Sequence, residues 1–169
     1  MSNKKDDMRK ERLKMPKIKD FLESILEVSF REATLSEQRD QGIDLVNIND
    51  LETYEIKIRS SKYRDNCYTD CLLETQSNDN YGTEGWIYHS KARWLIIIYE
   101  PLDDPIAQMW GLPELRDWWQ ENIHRRVWKK KRVPQSHGGY TVNRIIPLKF
   151  IAEWVPFHYL GNLTTHNSH

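Results

Sequence analysis

The chain has 169 residues, and its 25 Lys and Arg are balanced by 25 Asp and Glu, so the formal net charge is zero. This length suits one domain with a buried core, and a charged fraction of 30 % predicts a soluble globular protein. The balanced charge argues against a protein that coats DNA without specificity, because such binding depends on an excess of cations.

Neither a spanning segment nor a secretory signal is evident. No run approaches the ~18 consecutive apolar residues of a membrane helix, and the first residues lack an apolar core. Cys67 and Cys71 are the only cysteines. Their C-x-x-x-C spacing, without a second ligand pair, favours reduced thiols over a zinc site. These features predict an intracellular, cytoplasmic protein with no membrane partner.

The first predicted element is a helix. Residues 1–15 form a polar N-terminal arm, expected to be frayed or to extend the helix that follows. Pro16 suits a first helical turn, and from there apolar residues recur at helical spacing, which predicts one buried stripe. That stripe consists of Ile18, Phe21, Leu22, Ile25 and Leu26. Residues 34–41 are expected to form a polar connection.

Residues 42–60 carry the strongest functional pattern. An apolar run over residues 43–46, a short polar turn and a second strand-like run predict a β-hairpin. Side chains alternate along a strand, so Glu55, Lys57 and Arg59 are expected on the face opposite Tyr54, Ile56 and Ile58. Asp44 of the first strand would then approach Glu55 and Lys57. Two carboxylates and a lysine suit metal-assisted phosphodiester hydrolysis.

The spacing of these residues resembles the signature of the PD-(D/E)XK nuclease superfamily. Asp44 is followed eleven residues later by Glu55-x-Lys57, like the D…(D/E)-x-K pattern of restriction endonucleases, Holliday-junction resolvases and small phage nucleases. The residue before Asp44 is Ile43, where the superfamily commonly has proline. The close match is confined to residues 42–60, with a looser similarity in element order over residues 17–99.

The resemblance implies a metal site and a role for each residue. Asp44 and Glu55 would bind Mg²⁺, with Mn²⁺ as a substitute and the backbone carbonyl of Ile56 as a further ligand. Lys57 would orient the attacking water or stabilise the developing negative charge. A metal nearby would lower the pKa of Lys57 by like-charge repulsion.

A further acid sometimes completes such a site from the first helix. Glu23 and Glu32 are alternative candidates for it here. The competing interpretation of Glu23 is a solvated helix glutamate without any function, which is the usual state of such a side chain.

The second half of the chain predicts further strands and one helix. Strands are expected over residues 71–75, over the apolar run Trp94–Tyr99 and opposite it over residues 106–110. A helix is expected over residues 112–127, then a strand with a short closing element over residues 140–154. This order predicts an α/β fold with a mixed central β-sheet flanked by helices, compatible with the restriction-endonuclease-like core. One domain would cover residues 16–160, with a polar tail over residues 161–169.

Several cations cluster after that helix and are candidates for nucleic-acid binding. Together with Trp128 as a stacking platform, they suit phosphate contacts; the alternative is a solvated helix end. Arg59 is a further candidate, with a plain surface charge as the alternative. The cations of the cluster are Arg125, Arg126, Lys129, Lys130, Lys131 and Arg132.

The function expected from these residues and the resemblance is a Mg²⁺-dependent nuclease that hydrolyses DNA, as an endonuclease. One alternative is an inactive nucleic-acid-binding or inhibitory protein that keeps the fold. Another is a nuclease acting on RNA. Resolvase-like action on branched DNA would require a homodimer.

Overall fold

The computed structural model describes residues 4–125 and 128–162, and all their side chains except those of residues 4–8 and 11. The α-helices are α1 (Lys4–Leu26), α2 (Leu35–Gln41), α3 (Trp86–His89) and α4 (Leu112–Asn122), with short 3₁₀ helices over Ser61–Tyr68 and Leu148–Phe150. The strands are β1 (Phe30–Glu32), β2 (Leu45–Asn47), β3 (Thr53–Arg59), β4 (Asp70–Asn78), β5 (Thr83–Glu84), β6 (Trp94–Tyr99), β7 (Ile106–Gly111), β8 (Lys129–Pro134), β9 (Tyr140–Pro147) and β10 (Phe157–Gly161). None of the described helices has the length and apolar character needed to cross a membrane.

A six-stranded sheet in the order β1-β2-β3-β6-β7-β10 forms the centre of the molecule. β3 and β6 run parallel, and every other neighbouring pair is antiparallel. The predicted mixed central sheet with flanking helices is therefore confirmed. The apolar run Trp94–Tyr99 forms the central strand β6, and residues 106–110 lie opposite it in β7, as expected.

Helix α1 covers one face of the central sheet. Ile18 and Leu22 are buried there against Ile56 and Ile96. The expected start at Pro16 is wrong, because the helix begins at Lys4 and Pro16 lies inside it. The residues before Pro16 are mainly Lys, Arg, Glu, Met and Leu, which favour helix, so the polar extension of the helix is the alternative that forms.

A second sheet and helices α3 and α4 cover the other face. The second sheet is antiparallel, in the order β5-β4-β9-β8. Trp110 of the central sheet, Leu73 of the second sheet and Trp119 of α4 belong to the same buried cluster. The strand predicted over residues 71–75 exists, within β4, but it belongs to this second sheet.

Helix α4 ends earlier than expected, at Asn122 and not at residue 127. The indole N–H of Trp128 donates to the Asn122 carbonyl at 3.1 Å. That bond satisfies one of the carbonyls that a helix end leaves without a partner. The chain therefore turns back at this point and enters β8.

The segment before the hairpin is not a plain connection, because α2 lies within it. Thr34 and Glu37 form a capping box at its start, which satisfies two backbone N–H groups. Gly42 ends the helix with a left-handed φ of 62°, a conformation that glycine adopts without steric cost. This sharp end directs the chain into Asp44 and β2.

The predicted β-hairpin is confirmed. β2 and β3 pair antiparallel, with Leu45 opposite Tyr54 and Val46 opposite Thr53. The C-terminal part of the chain adds β10 to the edge of the central sheet beside β7. Most of the predicted polar tail, residues 163–169, lies outside the described residues.

Candidate active site

Strand β3 places Glu55 and Lys57 on the face of the central sheet that looks toward the second sheet. The Lys57 ammonium lies 2.6 Å from one carboxylate oxygen of Glu55, Oε1. The Glu55 side chain is only 3 % exposed, whereas that of Lys57 is 39 % exposed. The second carboxylate oxygen, Oε2, is buried and accepts no hydrogen bond from any described residue. A buried carboxylate oxygen without a donor is costly, so this position calls for a further partner.

Asp44, the residue directly before β2, reaches the same region. One of its carboxylate oxygens, Oδ2, accepts a hydrogen bond of 2.7 Å from the backbone N–H of Ile56. The N–H and C=O of one residue in an extended strand point to the same edge. The carbonyl of Ile56 therefore also points to the edge of β3 where Asp44 lies. This places the three expected metal ligands, Asp44, Glu55 and the Ile56 carbonyl, around one segment of β3.

The pKa of Lys57 reflects the acids that surround it. Burial acts to lower the pKa of Lys57, but the charge and hydrogen bond of Glu55 outweigh it and raise that pKa above its usual value. Asp44 and Glu74 add smaller contributions in the same direction. The surroundings therefore favour the protonated form of Lys57.

Glu74 on β4 is a residue that sequence reasoning did not single out. Burial raises the pKa of its carboxyl, while Lys57 and a hydrogen bond from the backbone N–H of Trp86 oppose that rise. Glu55 adds a repulsion that raises it further. The sequence signal was a single carboxylate within a predicted strand. Its approach to Lys57 depends on the packing of the two sheets and is not visible in local sequence.

A cavity of about 210 Å³ lies between the sheets beside these residues. Lys57 and Glu74 both line it, together with Val133 and Asn143 of the second sheet. Asp44 lines a different cavity, of about 570 Å³, on the side of α1 and α2. Asp44 and Lys57 therefore line two different cavities.

The two candidate glutamates for completing the metal site differ in their surroundings. Glu23 accepts a hydrogen bond of 2.7 Å from the backbone N–H of Phe30 and lies 3.7 Å from Lys19. It therefore stabilises the start of β1. Glu32 lines the same cavity as Asp44, with Arg12 and Arg39, so the geometry favours Glu32 over Glu23.

Arg59 occupies a different environment from the one expected of a phosphate contact. The residue is 7 % exposed, and its guanidinium lies 3.5 Å from Asp70 and donates to the Tyr99 hydroxyl at 3.1 Å. These contacts are those of a structural residue that joins β3 to the second sheet.

The basic run lies on a strand and not on a helix end. Lys129, Lys130, Lys131 and Arg132 form most of β8, the edge strand of the second sheet. Arg125 is exposed in the turn after α4, and Arg126 lies outside the described residues.

Trp128 does not fit the stacking role expected of it. The residue is only 6 % exposed, and its ring packs between Trp118 and Phe150. Because a stacking platform must present a ring face to a base, Trp128 is a core residue. The error arose because an aromatic residue within a charged run has the same local sequence in either role.

No family model matches this chain, and no curated protein and no solved structure matches it.

The residues present are compatible with a hard divalent cation. Within residues 4–125 and 128–162, no group of three or more His, Cys, Asp and Glu side chains is placed to hold a metal. Mg²⁺ does not require such a group, because it keeps several waters and uses one or two carboxylates together with substrate phosphates. The buried Oε2 of Glu55, which has no hydrogen-bond donor, is a hard oxygen atom of the kind such an ion prefers.

Proposed function

We propose that this chain is a metal-dependent nuclease that hydrolyses phosphodiester bonds in DNA, as an endonuclease. The observation that carries the proposal is the buried Oε2 of Glu55, which lacks a donor while Lys57 binds the other oxygen of the same carboxylate. A chain that keeps such a carboxylate for stability alone would lose free energy. A cation at this position would remove that cost.

Each residue has a definite part in the proposed reaction. Asp44, Glu55 and the Ile56 carbonyl would hold Mg²⁺, with Mn²⁺ able to replace it. When bound, the ion supplies charge neutralisation on the phosphoryl oxygens and a water of lowered pKa. Lys57, which is protonated and 39 % exposed, is placed to hold a phosphate oxygen and stabilise the charge that develops on it.

The resemblance to PD-(D/E)XK nucleases supports the same assignment. Asp44 directly precedes β2, and Glu55-x-Lys57 lies on the paired strand β3 of a mixed sheet, after a long helix that covers its opposite face. The match remains one of residues and element order. Intracellular action on DNA is part of the proposal, as is a homodimer if the substrate is branched.

Cleavage assays test the proposal directly. Supercoiled plasmid, single-stranded DNA, branched DNA and RNA of matched length would be incubated with the chain in Mg²⁺, in Mn²⁺ and in EDTA. We expect metal-dependent cleavage of DNA, and a loss of about 10²–10³-fold in rate for Lys57→Ala, which is typical of removing one group that stabilises transition-state charge. Asp44→Asn should be similarly impaired.

Lys130→Gln is a matched control, because Lys130 is an exposed lysine on the outer strand β8. It should cleave at nearly the wild-type rate. Cleavage that persists in EDTA, or at an unchanged rate in Lys57→Ala, would contradict the proposal. Binding without any cleavage would instead favour an inactive nucleic-acid-binding protein, and preferential digestion of RNA would make the chain a ribonuclease.

A further inference from the structure

Three cationic side chains converge on the ring of Tyr63, just beyond the end of β3. The Lys131 ammonium lies 3.7 Å from the ring centroid, that of Lys62 lies 4.9 Å away, and the guanidinium carbon of Arg59 lies 5.0 Å away. Lys62 and Tyr63 belong to the 3₁₀ helix after β3, whereas Lys131 comes from β8. Two parts of the chain far apart in sequence thus bring positive charge to one aromatic residue.

The two lysines of this cluster are not balanced by acids of the described chain. Arg59 pairs with Asp70, but neither Lys62 nor Lys131 forms an ion pair with a carboxylate among the described residues. The nearby ammonium groups of Lys131 and Lys62 lower the pKa of the Tyr63 phenol. Both ammonium groups lie within 4.9 Å of the Tyr63 ring centroid, so an anion bound beside that ring would be attracted by both.

The register of the second sheet divides the basic strand into two faces. Lys131 lies opposite Asn143, and Asn143 lies opposite Glu74. Residues that face each other across paired strands share one face of a sheet, so Lys131 lies on the face that carries Asn143 and Glu74. Both of these residues line the cavity that contains Lys57.

Lys130 and Arg132 point to the opposite face, because side chains alternate along a strand. Arg132 is also neutralised by a salt bridge to Asp79. The four consecutive cations of β8 are therefore not equivalent. Lys131, and Lys129 two residues before it, share the face of Lys57's cavity, whereas Lys130 and Arg132 do not.

We propose that Lys62, Tyr63 and Lys131 form a phosphate-binding subsite for the backbone of a nucleic-acid strand that passes Lys57. The two ammonium groups act as point charges toward one phosphate, a usual mode of lysine recognition. Contacts to the backbone alone carry no direct sequence information, so this subsite fixes the position of the strand and not its sequence. The inference rests on the proposed function for its role in cleavage, but the binding itself requires neither metal nor catalysis.

The test is equilibrium binding in EDTA, measured by fluorescence anisotropy. The probes are fluorescein-labelled oligonucleotides of thymidine and of uridine, 20 nucleotides long, which present the same phosphates on DNA and RNA backbones. Lys131→Gln is compared with Lys130→Gln, its neighbour on the opposite face. Lys62→Gln is a second variant, whose exposed side chain lies outside the sheets.

We expect Lys131→Gln and Lys62→Gln each to lower the slope of log K against log salt by about 0.7 for a single strand. At 0.05 M salt, losing this counterion-release contribution should lower the affinity of each variant about eightfold relative to wild type. Lys130→Gln should leave both quantities close to wild type. Lys131→Arg keeps the charge and should restore most of the binding.

Equal losses for Lys131→Gln and Lys130→Gln would overturn the subsite, as would a wild-type chain that binds neither oligonucleotide. The outcome is distinct from that of the proposed function. If the chain cleaves DNA but Lys131→Gln and Lys130→Gln bind equally well, only the subsite is refuted. If Lys131→Gln binds more weakly than Lys130→Gln but the chain cleaves nothing in Mg²⁺ or Mn²⁺, only the nuclease is refuted. Stronger binding of the uridine probe would assign the subsite to RNA.

Discussion

Two ion pairs on the same face of β3 differ in how completely their charged atoms are hydrogen-bonded. Arg59 and Asp70 are both buried, with side chains 7 % and 11 % exposed. Asp70 also accepts a hydrogen bond from the Asn66 amide at 2.7 Å, and Arg59 donates to the Tyr99 hydroxyl. The Glu55–Lys57 pair is shorter, at 2.6 Å, yet it leaves one buried carboxylate oxygen of Glu55 without a donor.

This difference separates a structural pair from a functional one. A buried charge is tolerated when its partners satisfy it fully, as at Asp70. A buried charge that lacks some of its hydrogen-bond partners lowers stability. Such groups are concentrated at sites where a bound ligand supplies the missing partner. Glu55, Lys57 and Arg59 share one face of β3, so the contrast reflects the partners of each pair.

The largest expected effect comes from replacing the acid of each pair by the corresponding amide, which removes its negative charge. Asp70→Asn would leave Arg59 charged and buried, because a guanidinium does not lose its proton. The free energy of unfolding should fall by about 3–5 kcal/mol. Glu55→Gln would leave Lys57, which is 39 % exposed, in contact with water, and we expect a change within about 1 kcal/mol.

Urea unfolding of both variants in EDTA, followed by circular dichroism, measures this contrast. The two substitutions are matched, since each replaces one carboxylate oxygen by an amide nitrogen. Equal destabilisation by the two variants would mean that both pairs are structural. The assignment of Glu55 to a site would then lose its main support.

A smaller effect is expected from Glu74 and depends on pH. Burial raises the pKa of Glu74 above its usual value of 4.5, so above pH 4.5 the folded chain binds more protons than the unfolded chain. Unfolding free energy therefore falls as pH rises from 4.5 through the raised pKa. Glu74→Gln removes this dependence, so its stability relative to wild type should increase between pH 4 and pH 7.

Denaturant unfolding at a series of pH values checks the sign. Glu84→Gln is a suitable control, because Glu84 is an exposed carboxylate on the short strand β5. Its unfolding free energy relative to wild type should change little with pH. A Glu74→Gln variant that loses stability relative to wild type as pH rises would show that the Glu74 carboxylate is stabilised by Lys57 more than burial destabilises it.

Much of the site was predictable because its signals are local. The alternation of β3 predicts that Glu55 and Lys57 share a face, and a short turn predicts that Asp44 approaches them across a hairpin; both are seen. The buried run of β6 gives the centre of the sheet for the same reason. Such patterns extend over a few residues and do not depend on distant packing.

Other features depend on contacts between distant segments. Glu74 meets Lys57 only because β4 pairs with β9 and the second sheet packs on the first. The basic run has the same composition on a strand as on a helix end, so its division into two faces follows only from pairing with β9. Trp128 and Arg59 are buried by the same long-range packing.

Titration of Mn²⁺ into the chain, followed by isothermal calorimetry, tests the central claim most directly. Wild type and Glu55→Gln would be compared under conditions where urea unfolding shows both to be folded. We predict saturable binding to wild type and its loss in Glu55→Gln, because the buried Oε2 of Glu55 has no hydrogen-bond donor and would bind the ion. Equal binding by both proteins, or none by wild type, would contradict a metal site at Glu55.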